Sequence, residues 1–146
     1  MINKKKTVDV IIEKASLRDL PYIKEKIEKY WLDGRNVLIE QFFVARNKKD
    51  VPVGFIRYTK HPTFYEPCTL AVDYYWRGKG IAAMLFGHIM SVMPKDKPVY
   101  ILTHIPKFFE LYGFECTNTY PKEIDEKFNS VCRISRDKVS IMRLVR

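Results

Sequence analysis

One junction restricts the fold more than any other feature of the chain. The apolar run Cys68-Thr69-Leu70-Ala71-Val72 is followed by Arg77-Gly78-Lys79-Gly80-Ile81-Ala82, and Gly80 opens a segment with Ile81, Met84, Leu85, His88, Ile89 and Val92 at helical spacing. The order is strand, basic glycine turn, helix. Small residues let the backbone approach an anion, successive N–H groups form a concave nest, and the helix dipole places about half a positive charge at its start. Arg77 and Lys79 add full charges beside it. The junction therefore predicts phosphate binding on an α/β scaffold.

The remaining periodicities complete that scaffold. Residues 8–12 form a β-branched strand, and Ser16-Leu17-Arg18-Asp19 has the form of a capping box before a helix with Leu20, Ile23, Ile27, Tyr30 and Trp31. Pro21 fits only a first turn, which leaves Asp19 as an alternative N-cap. Residues 41–45 and 53–58 flank the polar stretch 46–50 as an antiparallel hairpin, and 61–67, with Pro62 and Pro67, reads as a loop. Residues 99–102 form a strand, 106–112 a short helix closed by Gly113, Phe114 resumes extended structure, and 139–144 is the last strand. Between them, 121–135 is polar, with a helical stretch at Ile124-Asp125-Glu126-Lys127-Phe128. With 146 residues, one domain spanning 1–146 is expected, α/β in class, with a mixed, mostly antiparallel sheet flanked by helices.

Composition removes other classes. A content of 47% hydrophobic and 29% charged residues excludes a disordered or collagenous chain. Cys68, Cys116 and Cys132 form no Cys-x-x-Cys pair, so no disulfide framework and no metal site is expected, and a reducing compartment fits. The opening Met-Ile-Asn-Lys-Lys-Lys meets no apolar stretch, and the longest uncharged segment, 80–94, falls short of the roughly 20 residues a bilayer needs. A cytoplasmic protein with no membrane partner is expected. The net charge of +9 favours anionic ligands, although Lys and Arg are scattered along the chain and not gathered into a nucleic-acid arm. Gly78-Lys79-Gly80-Ile81-Ala82-Ala83 formally fits the dinucleotide fingerprint, yet five residues separate it from the strand and no acid lies on residues 99–102. A Walker loop fails for want of Ser or Thr after a Gly-Lys.

The stretch from Leu70 to Ala82 resembles the acetyl-CoA loop of the GNAT superfamily of N-acetyltransferases, whose Arg/Gln-x-x-Gly-x-Gly/Ala signature is filled by Arg77, Gly80 and Ala82. Phe108-Phe109-Glu110-Leu111-Tyr112-Gly113-Phe114 resembles the family's second landmark, an aromatic helix ending in Gly-Phe. The resemblance implies two strands, at 70–72 and 99–102, splayed around acetyl-CoA as cosubstrate. Backbone amides at Leu70, Ala71 and Val72 would hold pantetheine and the thioester carbonyl. Arg77, Gly78, Lys79, Gly80, Ile81, Ala82 and Ala83 would hold the pyrophosphate.

Two departures bear on catalysis. Phe109 stands where many members carry the Tyr that protonates the departing thiolate, with Tyr112 three positions on, and Tyr100-Ile101-Leu102 offers no carboxylate base. The remaining candidates for proton removal are His104 and Glu66, while Asp73 is expected to organise the loop. Leu102-Thr103-His104 and the tail from Tyr120 to Cys132 are faintly similar to an N-acetylglutamate synthase-like branch. This resemblance implies transfer to a primary amine by direct attack in a ternary complex, with a protein N-terminus or lysine as the runner-up acceptor. The missing acid and base favour an α-amine, of an amino acid or of a protein N-terminus, over a lysine side chain. The partner would be a small-molecule or peptide amine, and a homodimer is compatible. The alternative is a CoA-binding or nucleic-acid-binding module without catalysis, since Tyr74, Tyr75 and Trp76 interleave with basic residues.

Overall fold

The computed structural model describes residues 8–131 and 135–146, so Cys132 and the first seven residues lie outside it. Its elements are β1 (Ile11–Lys14), α1 (Leu20–Lys29), β2 (Phe42–Arg46), β3 (Pro52–Lys60), β4 (Tyr65–Val72), α2 (Ile81–Val92), β5 (Tyr100–Thr103), α3 (Pro106–Glu110), β6 (Phe114–Cys116), α4 (Lys122–Val131) and β7 (Ser140–Leu144). Strands β1, β2, β3 and β4 make one antiparallel sheet in that spatial order, and β5, β7 and β6 make another. The two meet where β4 and β5 run parallel through one bridge, Tyr65 to Val99, supported by the Tyr65 amide donating to the Pro98 carbonyl at 2.9 Å. This is the mixed, mostly antiparallel α/β architecture the sequence predicts.

Both faces of the first sheet are covered, and the strand pattern shows why. Phe42 and Val44 point to the side of Ile23 and Ile27 on α1, whereas Phe43 and Ala45 point to the side of Leu85, Phe86 and Ile89 on α2. A strand buried on both faces reads as a continuous apolar run, as β2 does. Each fully buried aliphatic side chain of this kind contributes about 1.5–3 kcal/mol.

The start of α1 uses both predicted caps. The Ser16 amide donates to the Asp19 carboxylate at 2.8 Å across a short 3-10 turn, and Asp19 then stands at the N-cap of the α-helix, with Pro21 in its first turn. Asp19 is itself buried and accepts two hydrogen bonds from Arg46, at 2.8 and 2.6 Å, which ties the helix start to β2.

Two boundaries differ from expectation. The first strand begins at Ile11 because its register is set by pairing with residues 43–46 of β2, while Val8 and Val10 pack on the core without joining the sheet. The segment 61–67 is not all loop, since β4 begins at Tyr65 and includes Pro67 opposite Tyr58. Strand β4 pairs along its length only with β3, and an edge strand accommodates a proline.

Candidate active site

The predicted anion loop has the backbone its chemistry needs. Past Val72 the chain passes through Asp73 and a tight turn at Tyr74–Trp76 to Gly78 and Gly80, which adopt φ of +76° and +83°. Side-chain-bearing residues lose about 1–2 kcal/mol in that region. Gly80 is the N-cap of α2, so the amides of Ile81, Ala82 and Ala83 have no acceptor within the helix. A Cβ placed on Gly78 or Gly80 would meet nothing within 4 Å, so the space beside the loop is open.

The charges of the loop divide. Lys79 is exposed. Arg77 turns back, its Nε donating to the Val72 carbonyl at 2.9 Å and its guanidinium lying 4.8 Å from the centre of the Tyr30 ring. It fastens the loop to the end of β4 and to the C-terminal end of α1. Asp73 accepts a hydrogen bond from the Tyr22 hydroxyl at 2.8 Å, an organising contact on the same junction.

Beyond the Tyr65–Val99 bridge, β4 and β5 part around a cleft of about 340 Å³. Residues 67–70 of β4 form one wall, residues 101–104 the other, and Phe86 and Phe109 contribute apolar surface. Residues 30–33 and Lys127 and Val131 of α4 complete it. Leu70 lines this space, while the side chains of Ala71 and Val72 are buried in the cores on opposite faces of the sheet.

A bulge shapes the β4 wall. Phe55 pairs with Ala71 but Arg57 pairs with Cys68, so Thr69 and Leu70 together oppose Ile56, and Thr69 takes φ +55°. Beneath it lies the fully buried Arg57. Its guanidinium donates to Thr69 Oγ1 at 2.9 Å, the Asp33 carbonyl at 2.8 Å, Gln41 Oε1 at 3.2 Å and the Asn36 carbonyl at 3.3 Å. One side chain thus holds the bulge against the segment between α1 and β2.

The two candidate bases occupy different surroundings. His104 is exposed on the cleft wall directly after β5. Glu66 is 3% exposed, off the cleft wall, with one oxygen accepting from Lys127 Nζ and the other 2.8 Å from His61 Nε2. Burial pushes its carboxyl up, but the Lys127 charge and the hydrogen bonds from His61 and Lys127 outweigh this and hold it below the usual range. Burial likewise works against the Lys127 charge, and the Glu66 charge and hydrogen bond, together with the charges of Cys68 and Asp33, outweigh it, so the ammonium is raised above the usual lysine value. Phe109 is buried against Phe86 and Phe114. The Tyr112 hydroxyl donates to the Ala83 carbonyl at 3.1 Å and its ring packs on Phe86.

Lys127 and Arg57 are the site residues that sequence reasoning misses. The only local signal for Lys127 is its i+3 spacing from Ile124 in the predicted helix, which turns both inward. Among the described residues no cluster of metal-ligating side chains occurs and no helix is long and apolar enough to cross a membrane.

The profile of the acetyltransferase (GNAT) domain matches residues 39–116, more than half of the chain. The chain belongs to this family, the GNAT N-acetyltransferases, enzymes that draw their acetyl group from acetyl-CoA. Among solved structures it is similar to N-acetylglutamate synthase from Neisseria gonorrhoeae in complex with coenzyme A and N-acetyl-glutamate, at 18% identity and TM-score 0.71, over 97% of this chain and 36% of that one. The chain thus spans about a third of the length of that synthase. It is also similar to Rv2747 from Mycobacterium tuberculosis in complex with CoA (23% identity, TM-score 0.68, 93% of this chain and 99% of that one). Naa50 from Arabidopsis thaliana, bound to the bisubstrate analogue CoA-Ac-MVNAL, matches at 19% identity and TM-score 0.64, over 95% of this chain and 100% of that one. Among curated proteins no sequence matches significantly.

Proposed function

We propose that the enzyme acetylates an α-amine, of a free amino acid or a protein N-terminus, by direct attack in a ternary complex, with His104 as the base that removes the amine proton. The observation that carries the reading is the position of His104: an exposed imidazole on the wall of the cleft that separates β4 from β5. Glu66 is the weaker choice, because both its oxygens are engaged and its carboxyl is held low.

The donor supplies a thioester, whose carbonyl would lie along the β4 backbone at Leu70–Val72, with its pyrophosphate on the amides from Gly78 to Ala83. The amine nitrogen attacks the carbonyl carbon, the C–S bond breaks, the sulfur leaves as thiolate, and His104 takes the proton. A thiol of pKa about 8.5 leaves without protonation, so Phe109 in place of an acid is compatible with turnover. Deprotonating the amine is the harder step. The α-amine of a free amino acid is raised by its own carboxylate and lies between two limits at pH 7: a peptide N-terminus of pKa about 7.7–8.0 is roughly a tenth neutral, against a few per ten thousand for a lysine amine of pKa about 10.4. That gap of about 2.5 units is worth about 3.4 kcal/mol. A site with one imidazole therefore favours α-amines. Release of free thiol, followed with α-amine and matched lysine ε-amine acceptors at pH 7, should give the higher kcat/KM for the α-amine; a preference for the ε-amine overturns the reading.

A further inference from the structure

Lys127 is buried at 9% exposure, yet its side chain lines the cleft. Lysine is almost never buried unless paired, and its partner here is Glu66. The pair is asymmetric. The cation lines the cleft, while the anion sits behind the wall, where it also meets His61. An ammonium has three donors; among the described residues one is used, on Glu66, and the others are available to a ligand. The charge also lies near the chemistry, because Cys68 and Thr69, on the wall beside it, directly precede the segment Leu70–Val72 expected to hold the thioester. A free amino acid carries its carboxylate one carbon from the attacking nitrogen, so it presents the two groups together. Asp33, also on the wall, is held by Arg35 at 3.0 and 3.1 Å, and its charge acts on Lys127 alongside that of Glu66 to keep the ammonium charged. The surface supplied by Leu70, Phe86, Ile101, Phe109 and Val131 is apolar and suits an aliphatic side chain.

We propose that Lys127 binds the α-carboxylate of the acceptor, so that the substrate is a free amino acid and not a peptide N-terminus, whose corresponding group is a neutral amide. The inference rests on the α-amine reading above. It makes Lys127 a specificity-determining residue, with Glu66 holding its ammonium in place.

The test compares kcat/KM, referred to the neutral amine because a free acid has the higher α-amine pKa, for a panel of free amino acids with that for the same amino acids as C-terminal amides and as N-terminal residues of short peptides. A charge-assisted hydrogen bond predicts a preference for the free acids of about 10- to 100-fold. Lys127→Met removes the charge but leaves the buried Glu66 with only His61 beside it, so the companion variant is Glu66→Gln with Lys127→Gln, which removes both charges together and leaves an amide pair in their place. That variant, shown folded by its thermal transition and by CoA binding, should bring the free-acid and amide values within about threefold of each other, mainly through KM for the acid. Equal use of acids and amides by the unaltered enzyme, or an undiminished preference in the variant, overturns the inference while α-amine acetylation stands. Absence of turnover with all α-amines, free, amidated and peptide, overturns the α-amine reading and this inference with it.

Discussion

The two parts of the proposed site are built from different materials. The proposed cofactor loop, open to solvent at Gly78 and Gly80, consists of backbone: two left-handed glycines, a helix start, and an arginine that fastens the loop to β4. The proposed acceptor end consists of side chains, most of them buried, brought together from distant positions; Lys127 and Glu66 are 61 residues apart, and Arg57 reaches four separate groups between residues 33 and 69. A backbone site can be altered only by changing its conformation, and it binds whatever fits the shared cofactor. A side-chain site can be rewritten one residue at a time, which is where acceptor choice can vary without disturbing the donor.

The largest effect expected from this contrast is at Gly80. Gly80→Glu places a carboxylate and a Cβ at φ +83°, with open space around it, so the fold should survive at a cost of about 1–2 kcal/mol while CoA affinity falls at least about 1000-fold. Calorimetry decides it: unchanged affinity in a folded variant removes the loop from the cofactor site. Next in size, His104→Gln should slow acetyl transfer about 100-fold while CoA affinity stays within about twofold, which would separate the two parts experimentally. Near-normal turnover at pH 7 would shift the base elsewhere.

The smallest effect is on stability at acid pH. Glu66 is held below its unfolded value of about 4.3, so its contribution is present above that pH and is lost as pH falls through the lower folded value. Lys127 is held above about 10.4, so its share is present below that pH and is lost only as pH rises beyond it. The pair is fully charged between roughly pH 5 and 10. Denaturant titrations from pH 5 to 3 should show the unaltered protein losing stability more steeply than the Glu66→Gln, Lys127→Gln variant, by up to about 1.4 kcal/mol per pH unit. Parallel curves would mean the pair is not electrostatically coupled.

The same contrast explains what could be read in advance. Glycines at 78 and 80 are needed by local backbone geometry, so their spacing speaks for itself, and the strand before and helix after them follow from periodicity. His104 is legible because it directly follows a strand that the pattern marks. Lys127 is not, since it belongs to a polar stretch and only the tertiary fold sets it beside Glu66, which is legible as a candidate base but not as the partner of a lysine. Nor does any pattern announce that Thr69 is bulged, because the bulge is held by Arg57 from the adjacent strand. Pro67 misleads for a related reason: a proline reads as a break, and only the edge position of β4 makes it tolerable.

The single bridge between β4 and β5 has a colloidal consequence. Past Tyr65 and Val99 no strand of the described residues lies between the facing rims of the two strands, and unsatisfied rims of this kind template pairing with other chains. A cosubstrate whose amide-bearing arm lies along β4 would act as a detachable strand, closing the rim whenever it is bound and stabilising the fold by mass action. The empty enzyme would then be the form most inclined to self-associate, and the supply of CoA would set its solubility as well as its rate.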